Sequence, residues 1–250
     1  MHRRFFASLD GHRRGILLAL TAASGLALTT FGPTQAGATV FSGSGCAQVN
    51  IIVARASTEA QGQGITGALA TQVQNSSAQT VSTQAVVYPA TLNNYASSES
   101  QGVRAAEQML AAAVSSCPNQ KQVLMGYSQG ANVSLDVVTG NAEVRPSTVV
   151  APAPANVLSH VVAIVGFGDP GNVIGQAWDV GTDTTRNGIF RRSSTQLQAL
   201  TNFGAANSTR AWCDTGDTFC ASGNSLNTHL TYLNRYQNAA ASFVLGRIGG

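Results

Sequence analysis

The stretch Lys121-Gln122-Val123-Leu124-Met125-Gly126-Tyr127-Ser128-Gln129-Gly130-Ala131-Asn132-Val133 decides how this chain is read. Gln122–Met125 reads as a short buried strand, and Ala131, Leu135 and Val138 recur at helical spacing directly after it. Between them stands Gly126-Tyr127-Ser128-Gln129-Gly130. A G-x-S-x-G pentapeptide on a strand-to-helix turn is a nucleophile elbow: the glycines let backbones pass closely, and the serine hydroxyl stands exposed above the sheet. With 26 glycines in 250 residues the pattern alone is weak, and the strand before it and the helix after it give it meaning.

Working outward, Val49–Ala54 is a compact β-branched run and reads as the first core strand. It ends at Arg55-Ala56-Ser57-Thr58-Glu59, before a glycine-rich turn. Ile65, Leu69 and Val73 then share a helical face, and Gln84–Tyr88 reads as the next strand, closed by Pro89. Ser98 with Gln101 has the form of a capping box, and Val103, Ala106, Leu110 and Ala113 stripe a helix ending at Cys117-Pro118. Beyond the elbow, Val161–Phe167 is a buried strand, Thr209–Trp212 a last short one, and Leu230 to Leu245 a closing helix. The polar stretch from Gly168-Asp169-Pro170 to about Asn207 says least. Strands alternating with helices imply an α/β fold with a central, mainly parallel sheet and helices on both faces.

The first 38 residues read as a signal peptide outside that fold, leaving residues 39–250 as one domain. Arg3, Arg4, Arg13 and Arg14 precede an apolar run from Ile16 to Leu28, and Ala36-Gly37-Ala38 has the small-x-small form of a cleavage site. The run is short for a membrane span, so an exported chain without integral membrane association is expected. The leader carries four of the 14 Lys and Arg and one of the 11 Asp and Glu, leaving ten of each sign. The basic balance belongs to the leader, and no nucleic-acid partner is expected. Arg191-Arg192 reads as a solvated surface pair.

Four cysteines in an exported chain imply two disulfides, with three pairings open. Cys213 and Cys220 are close enough to close a small loop, which leaves Cys46 with Cys117. That second bridge is worth about 4–5 kcal/mol in the chain-entropy model. The cysteine spacing and the scarcity of histidine make a poor zinc site, so no metal is expected.

A serine hydroxyl needs an imidazole to take its proton and a carboxylate to hold that imidazole in one tautomer. Beyond the leader only His160 and His229 are available. His160 immediately precedes an apolar strand and reads as a strand-edge histidine. His229 lies after every expected strand, which suits the chain order serine, acid, histidine. Asp217, inside the Cys213–Cys220 loop, is the first choice of acid; Asp214 in the same loop and Asp169 before Pro170 read as turn formers. The backbone N–H of Gln129 is one candidate oxyanion donor and Ser57 the other, with a helix N-cap as the alternative reading of Ser57. Gly62-x-Gly64-x-x-Gly67 and Gly166-x-Gly168-x-x-Gly171 match a dinucleotide fingerprint but lack its context and read as turns.

With these residues assembled, the chain resembles the cutinase and acetylxylan esterase family of small secreted serine esterases. Ala54-Arg55-Ala56-Ser57-Thr58-Glu59 is similar to the family's oxyanion loop, Gly126–Gly130 to its elbow, and Trp212–Cys220 to its disulfide-held acid loop. His229-Leu230-Thr231-Tyr232 completes the set. The resemblance implies a three-layer α/β-hydrolase-type sandwich, a Ser128–Asp217–His229 triad, an oxyanion hole from Ser57 and Gln129, bridges Cys46–Cys117 and Cys213–Cys220, and no cofactor. It implies an extracellular monomer acting on cutin-type polyester or short-to-medium-chain acyl esters, with deacetylation of acetylated xylan as the alternative. A catalytically idle surface or carbohydrate-binding protein on the same scaffold is the alternative from another class. Four cysteines and His229-Leu230 lean toward cutinase-like members, whereas Gly168-Asp169-Pro170 and Asn227-Thr228-His229 lean toward acetylxylan esterases. The family has glycine where this chain has Ala56, where a left-handed backbone would cost an alanine about 1 kcal/mol. The segment Ala221–Thr228 is more polar than in fungal cutinases.

Overall fold

The computed structural model describes residues 45–141 and 149–249. The expected signal peptide and its cleavage site lie outside them. Six strands form one sheet: β1 (Val49–Ala54), β2 (Val81–Ala85), β3 (Lys121–Tyr127), β4 (Val161–Phe167), β5 (Asp179–Val180) and β6 (Thr209–Trp212). Their spatial order is β2-β1-β3-β4-β6-β5, and every neighbouring pair is parallel.

Parallel strands need crossovers, and crossover helices cover both faces of a sheet. The longer helices are α1 (Gly67–Ser76), α2 (Tyr95–Ser116), α3 (Gln129–Thr139), α5 (Ser194–Phe203) and α8 (Tyr232–Ile248). The short pieces α4 (Ala155–Leu158), α6 (Ala205–Ser208) and α7 (Leu226–Leu230) lie between them. Alternation along β1 shows how one apolar run serves two layers. Ile51 and Val53 pack with Leu69 and Val73 of α1 and Val244 of α8, while Ile52 and Ala54 pack with Val103 and Leu110 of α2 and Leu135 of α3. This is the expected three-layer sandwich.

Two local expectations are corrected, and a third stretch, on which none was formed, gains elements. The second strand is Val81–Ala85, sharing only Gln84 and Ala85 with the expected Gln84–Tyr88. As an edge strand it is only half-buried, so Ser82, Thr83 and Gln84 suffice for pairing. Val86 and Tyr88, which looked like strand interior, are buried just beyond its end. Ser98 and Gln101 do not form a capping box, because α2 starts at Tyr95, a turn earlier. Ser98 is buried instead, where its hydroxyl accepts from the Thr91 N–H and donates to Gln129 Oε1. Third, the uninformative stretch after Pro170 contains β5 and α5. Ser193 and Gln196 make the reciprocal capping box of α5, and Gly204 ends it in a left-handed conformation.

Chain order runs from β1 to β2 on one side and to β3 on the other, so the order in which strands are added reverses between β1 and β3. Ligands in open α/β sheets bind outside the carboxyl ends of the strands at such a reversal. The elbow and the Arg55–Glu59 turn meet there.

Candidate active site

Ser128 links β3 to α3 with φ 53° and ψ −119°, a backbone region that costs a non-glycine residue about 1–3 kcal/mol. Its neighbours hold it there. The Ser128 N–H donates to the Phe167 carbonyl at the end of β4 (2.8 Å), and its own carbonyl accepts from Ala131 and Asn132 in the first turn of α3. Gly126 and Gly130 have no room for a side chain. A Cβ on Gly126 would lie 2.0 Å from the Gly130 carbonyl oxygen.

The candidate acid and base come from the other end of the chain. The Cys213–Cys220 disulfide closes the loop after β6, and within it Asp217 is fully buried. Its Oδ1 accepts from the Phe219 and Cys220 N–H groups at 2.6 and 2.9 Å. Its Oδ2 lies 2.8 Å from His229 Nδ1 and 2.9 Å from the Tyr232 hydroxyl. Burial by itself would raise the Asp217 pKa. The hydrogen bond and charge of His229, with those two N–H groups, outweigh it and leave the carboxyl below its ordinary value. Asp217 is therefore ionised and acceptor-only, which makes Nδ1 of His229 the protonated nitrogen and leaves Nε2 free.

His229 lies in α7, whose N-terminus is capped by the Ser225 hydroxyl accepting from the Thr228 N–H at 3.1 Å. Phe219 meets the ring edge-on at 4.5 Å, and the Tyr127 hydroxyl donates to the His229 carbonyl. Gly168, at φ +60°, makes space for the imidazole, since a Cβ there would stand 2.8 Å from Nδ1 and Cε1. The imidazole thus rests on the residue after Phe167, whose carbonyl holds Ser128. Asp217 and His229 are joined directly, and Ser128 is brought to the same end of the sheet. Among the described residues, Ser128 Oγ makes no hydrogen bond to His229; such bonds are often long before substrate binds.

Competing residues have other roles. His160 sits at the opposite end of β4, where its carbonyl accepts from Gln122. Asp214 is a structural acceptor: Thr182 N–H, Tyr236 hydroxyl and Arg235 Nε all bind its carboxylate, at 2.8–2.9 Å.

The Arg55–Glu59 turn is built from within. Arg55 donates to the carbonyls of Glu59 and Tyr88 (2.9 and 2.7 Å) and lies over the Tyr88 ring, while Glu59 accepts from the Ala56 and Ile65 N–H groups. The left-handed residue of this turn is Thr58, at φ 70°, and Ala56 is not among the positive-φ residues, so alanine carries no such strain here. Ser57 is not a helix N-cap, because α1 begins at Gly67. Its hydroxyl oxygen is buried and unpartnered among the described residues. Gln129 is fully buried, and its side chain is tied to Ser98 and to the Thr91 carbonyl, which fixes the first residue of α3.

Arg192 overturns the expectation of a solvated arginine pair. It is 5% exposed and bridges Asp136 of α3, at 2.7 Å, and Asp169, the residue after Gly168. Asp169 also accepts from Gly171 N–H, so it does form the expected turn. Sequence reasoning missed this buried pair and the contact of Tyr232 with Asp217. The spacing of Tyr232, one helical turn after His229, is the signal that could have found the second.

Residues 45–248 match the model of the cutinase family. An acetylxylan esterase of Hypocrea jecorina is 30% identical over 208 residues, covering 80% of this chain and 67% of that one. Phospholipase Culp4 of Mycobacterium tuberculosis is 31% identical over 206 residues, covering 82% and 80%. Among solved structures, the catalytic core domain of acetyl xylan esterase from Trichoderma reesei superposes with a TM-score of 0.71 at 29% identity, over 81% of this chain and all of that one.

Proposed function

The chain belongs to the cutinase family of carboxylic ester hydrolases, and on that premise we propose that Ser128, His229 and Asp217 are its catalytic triad. The observation that carries this reading is the 2.8 Å contact of a buried Asp217 with His229 Nδ1, set beside a serine held at φ 53° on an elbow. His229 Nε2 takes the Ser128 proton as Oγ attacks the ester carbonyl carbon. The alcohol leaves with that proton, and a water deprotonated by His229 then hydrolyses the acyl-enzyme. Gln129 N–H at the head of α3 and Ser57 hold the oxyanion. The unpartnered Ser57 hydroxyl supports its share of this task. No metal or cofactor enters the scheme.

The substrate we favour is a carboxylic ester with a short-to-medium acyl chain, cutin-type polyester included. Leu226 and Leu230, on either side of His229 in α7, are 53% and 57% exposed and offer apolar surface for such a chain. Deacetylation of acetylated xylan is the second reading, favoured by the likeness to acetylxylan esterases and by the polar segment Ala221–Ser225. We also propose a secreted monomer, with residues 1–38 removed and residues 39–250 forming the mature domain. Two disulfides support the extracellular setting, and no helix among the described residues is long and apolar enough to cross a membrane. Ser128→Ala is expected to abolish hydrolysis of p-nitrophenyl butyrate in a folded protein; undiminished turnover would refute the triad. Relative rates on acetyl and hexanoyl esters separate the two substrate readings.

A further inference from the structure

The Asp217 carboxylate has room for about four donors, and all four places are taken. Two are N–H groups of its own disulfide-closed loop and one is His229 Nδ1. The fourth is the hydroxyl of Tyr232, a fully buried residue at the start of α8. Asp214 N–H donates to that phenol oxygen at 2.7 Å, which turns its proton away from Asp214. The remaining neighbours are Asp217 Oδ2 at 2.9 Å and Cys220 Sγ at 3.3 Å. Being disulfide-bonded, Cys220 has no hydrogen to give, and an anionic oxygen is the stronger acceptor of the two. The phenol proton therefore goes to Oδ2, the same atom that binds the imidazole.

From this geometry we infer that Tyr232 is a positioning residue of the hydrolase site: its hydroxyl holds Asp217 by Oδ2, the atom that binds His229 Nδ1, and so fixes the strength and aim of the Asp217–His229 hydrogen bond. The inference rests on the triad reading above. Burial first, and then the Asp217 charge, push the phenol pKa well above its ordinary value, so it stays a donor throughout the working pH range. Without this donor Oδ2 binds Nδ1–H more strongly and favours the imidazolium. Freed of one of its four donors, the carboxylate also gains rotational freedom, and the imidazole is aimed less well.

Tyr232→Phe keeps the ring and its packing on Tyr127, Phe167 and Tyr236 and removes only the hydroxyl. The expected result is a kcat lower by about tenfold with KM little changed. The acid limb of kcat/KM should move up by about half a pH unit or more. A role confined to packing would reduce the melting temperature or the fraction of active sites and leave the limb in place. Replacing the ring by 3-fluorotyrosine keeps the contact and strengthens the donor, so the limb should move down; this form serves as the reading if the phenylalanine variant does not fold. An unmoved limb in a folded Tyr232→Phe protein, or in the fluorotyrosine form, overturns the inference. Ser128→Ala in parallel separates the two levels. If Ser128→Ala is inactive while Tyr232→Phe behaves as the parent, the triad stands and the positioning role falls. If Ser128→Ala is as active as the parent, both fall together.

Discussion

Gly130 and Ala54 pass in direct backbone contact: a Cβ on Gly130 would lie 2.0 Å from the Ala54 carbonyl oxygen. The elbow is thereby pressed against the end of β1, which brings the Arg55–Glu59 turn beside Gln129. Neither partner can yield, because Ala54 is paired in the sheet and Gly130 lies in the first turn of α3. Gly130→Ala is expected to cost at least about 3 kcal/mol, read as a lower urea midpoint, and to remove esterase activity even where the protein still folds.

Arg192 lies between two buried carboxylates, and its removal would leave Asp136 and Asp169 without their counter-charge, with only the neutral donors Asn132, Thr139 and Gly171 N–H beside them. Breaking a buried pair in this way costs about 3–5 kcal/mol. Arg192→Met should therefore lower the melting temperature more than Arg191→Met, whose exposed side chain carries no such pair among the described residues. Asp169 follows the glycine on which His229 rests, so kcat should fall as well, by a smaller factor than for a residue of the proposed triad.

Glu99 is buried beside Asp136 and bound by Asn141 Nδ2 at 2.7 Å. Burial, then the charge of Asp136, push its pKa up from 4.5 to about 8. The folded chain thus keeps a proton that the unfolded chain has released. Between about pH 4.5 and 8 stability falls as pH rises, and above that window the loss is complete. Glu99→Gln can keep the Asn141 bond and has nothing to ionise. Its melting temperature should match the parent near pH 4 and exceed it at pH 8.5, as thermal melts across that range would show.

The Cys213–Cys220 bridge closes a loop that carries the carboxylate rather than a long stretch of core. Its loss should cost only about 2–3 kcal/mol in the chain-entropy model. The larger consequence falls on activity, since Phe219 and Cys220 N–H groups orient Asp217. The Cys213→Ser, Cys220→Ser double variant should lose kcat at a temperature where circular dichroism still reports a folded protein.

The strands at the centre of the sheet were legible because they are buried on both faces and read as unbroken apolar runs, as in Val49–Ala54 and Val161–Phe167. That His229 and Asp217 would meet was legible because histidine is scarce and one aspartate is framed by cysteines. What failed to show depends on partners distant in sequence. Val81–Ala85 is a strand because β1 offers an edge, not because its side chains alternate. Arg192 looks like a surface residue until Asp136 and Asp169, 56 and 23 positions away, are brought to it. Tyr232 passes for helix core until Asp217 folds against it. The α5 helix was readable from Ser193 and Gln196 but is almost hidden in a polar stretch.

Covalent labelling of the intact protein with a fluorophosphonate, followed by peptide mapping, tests directly whether Ser128 is the nucleophile. Stoichiometric loss of esterase activity, a single adduct on Ser128, and no labelling of Ser128→Ala or of protein denatured beforehand are expected. Full activity after exposure, or an adduct on another residue with Ser128 untouched, would contradict that role.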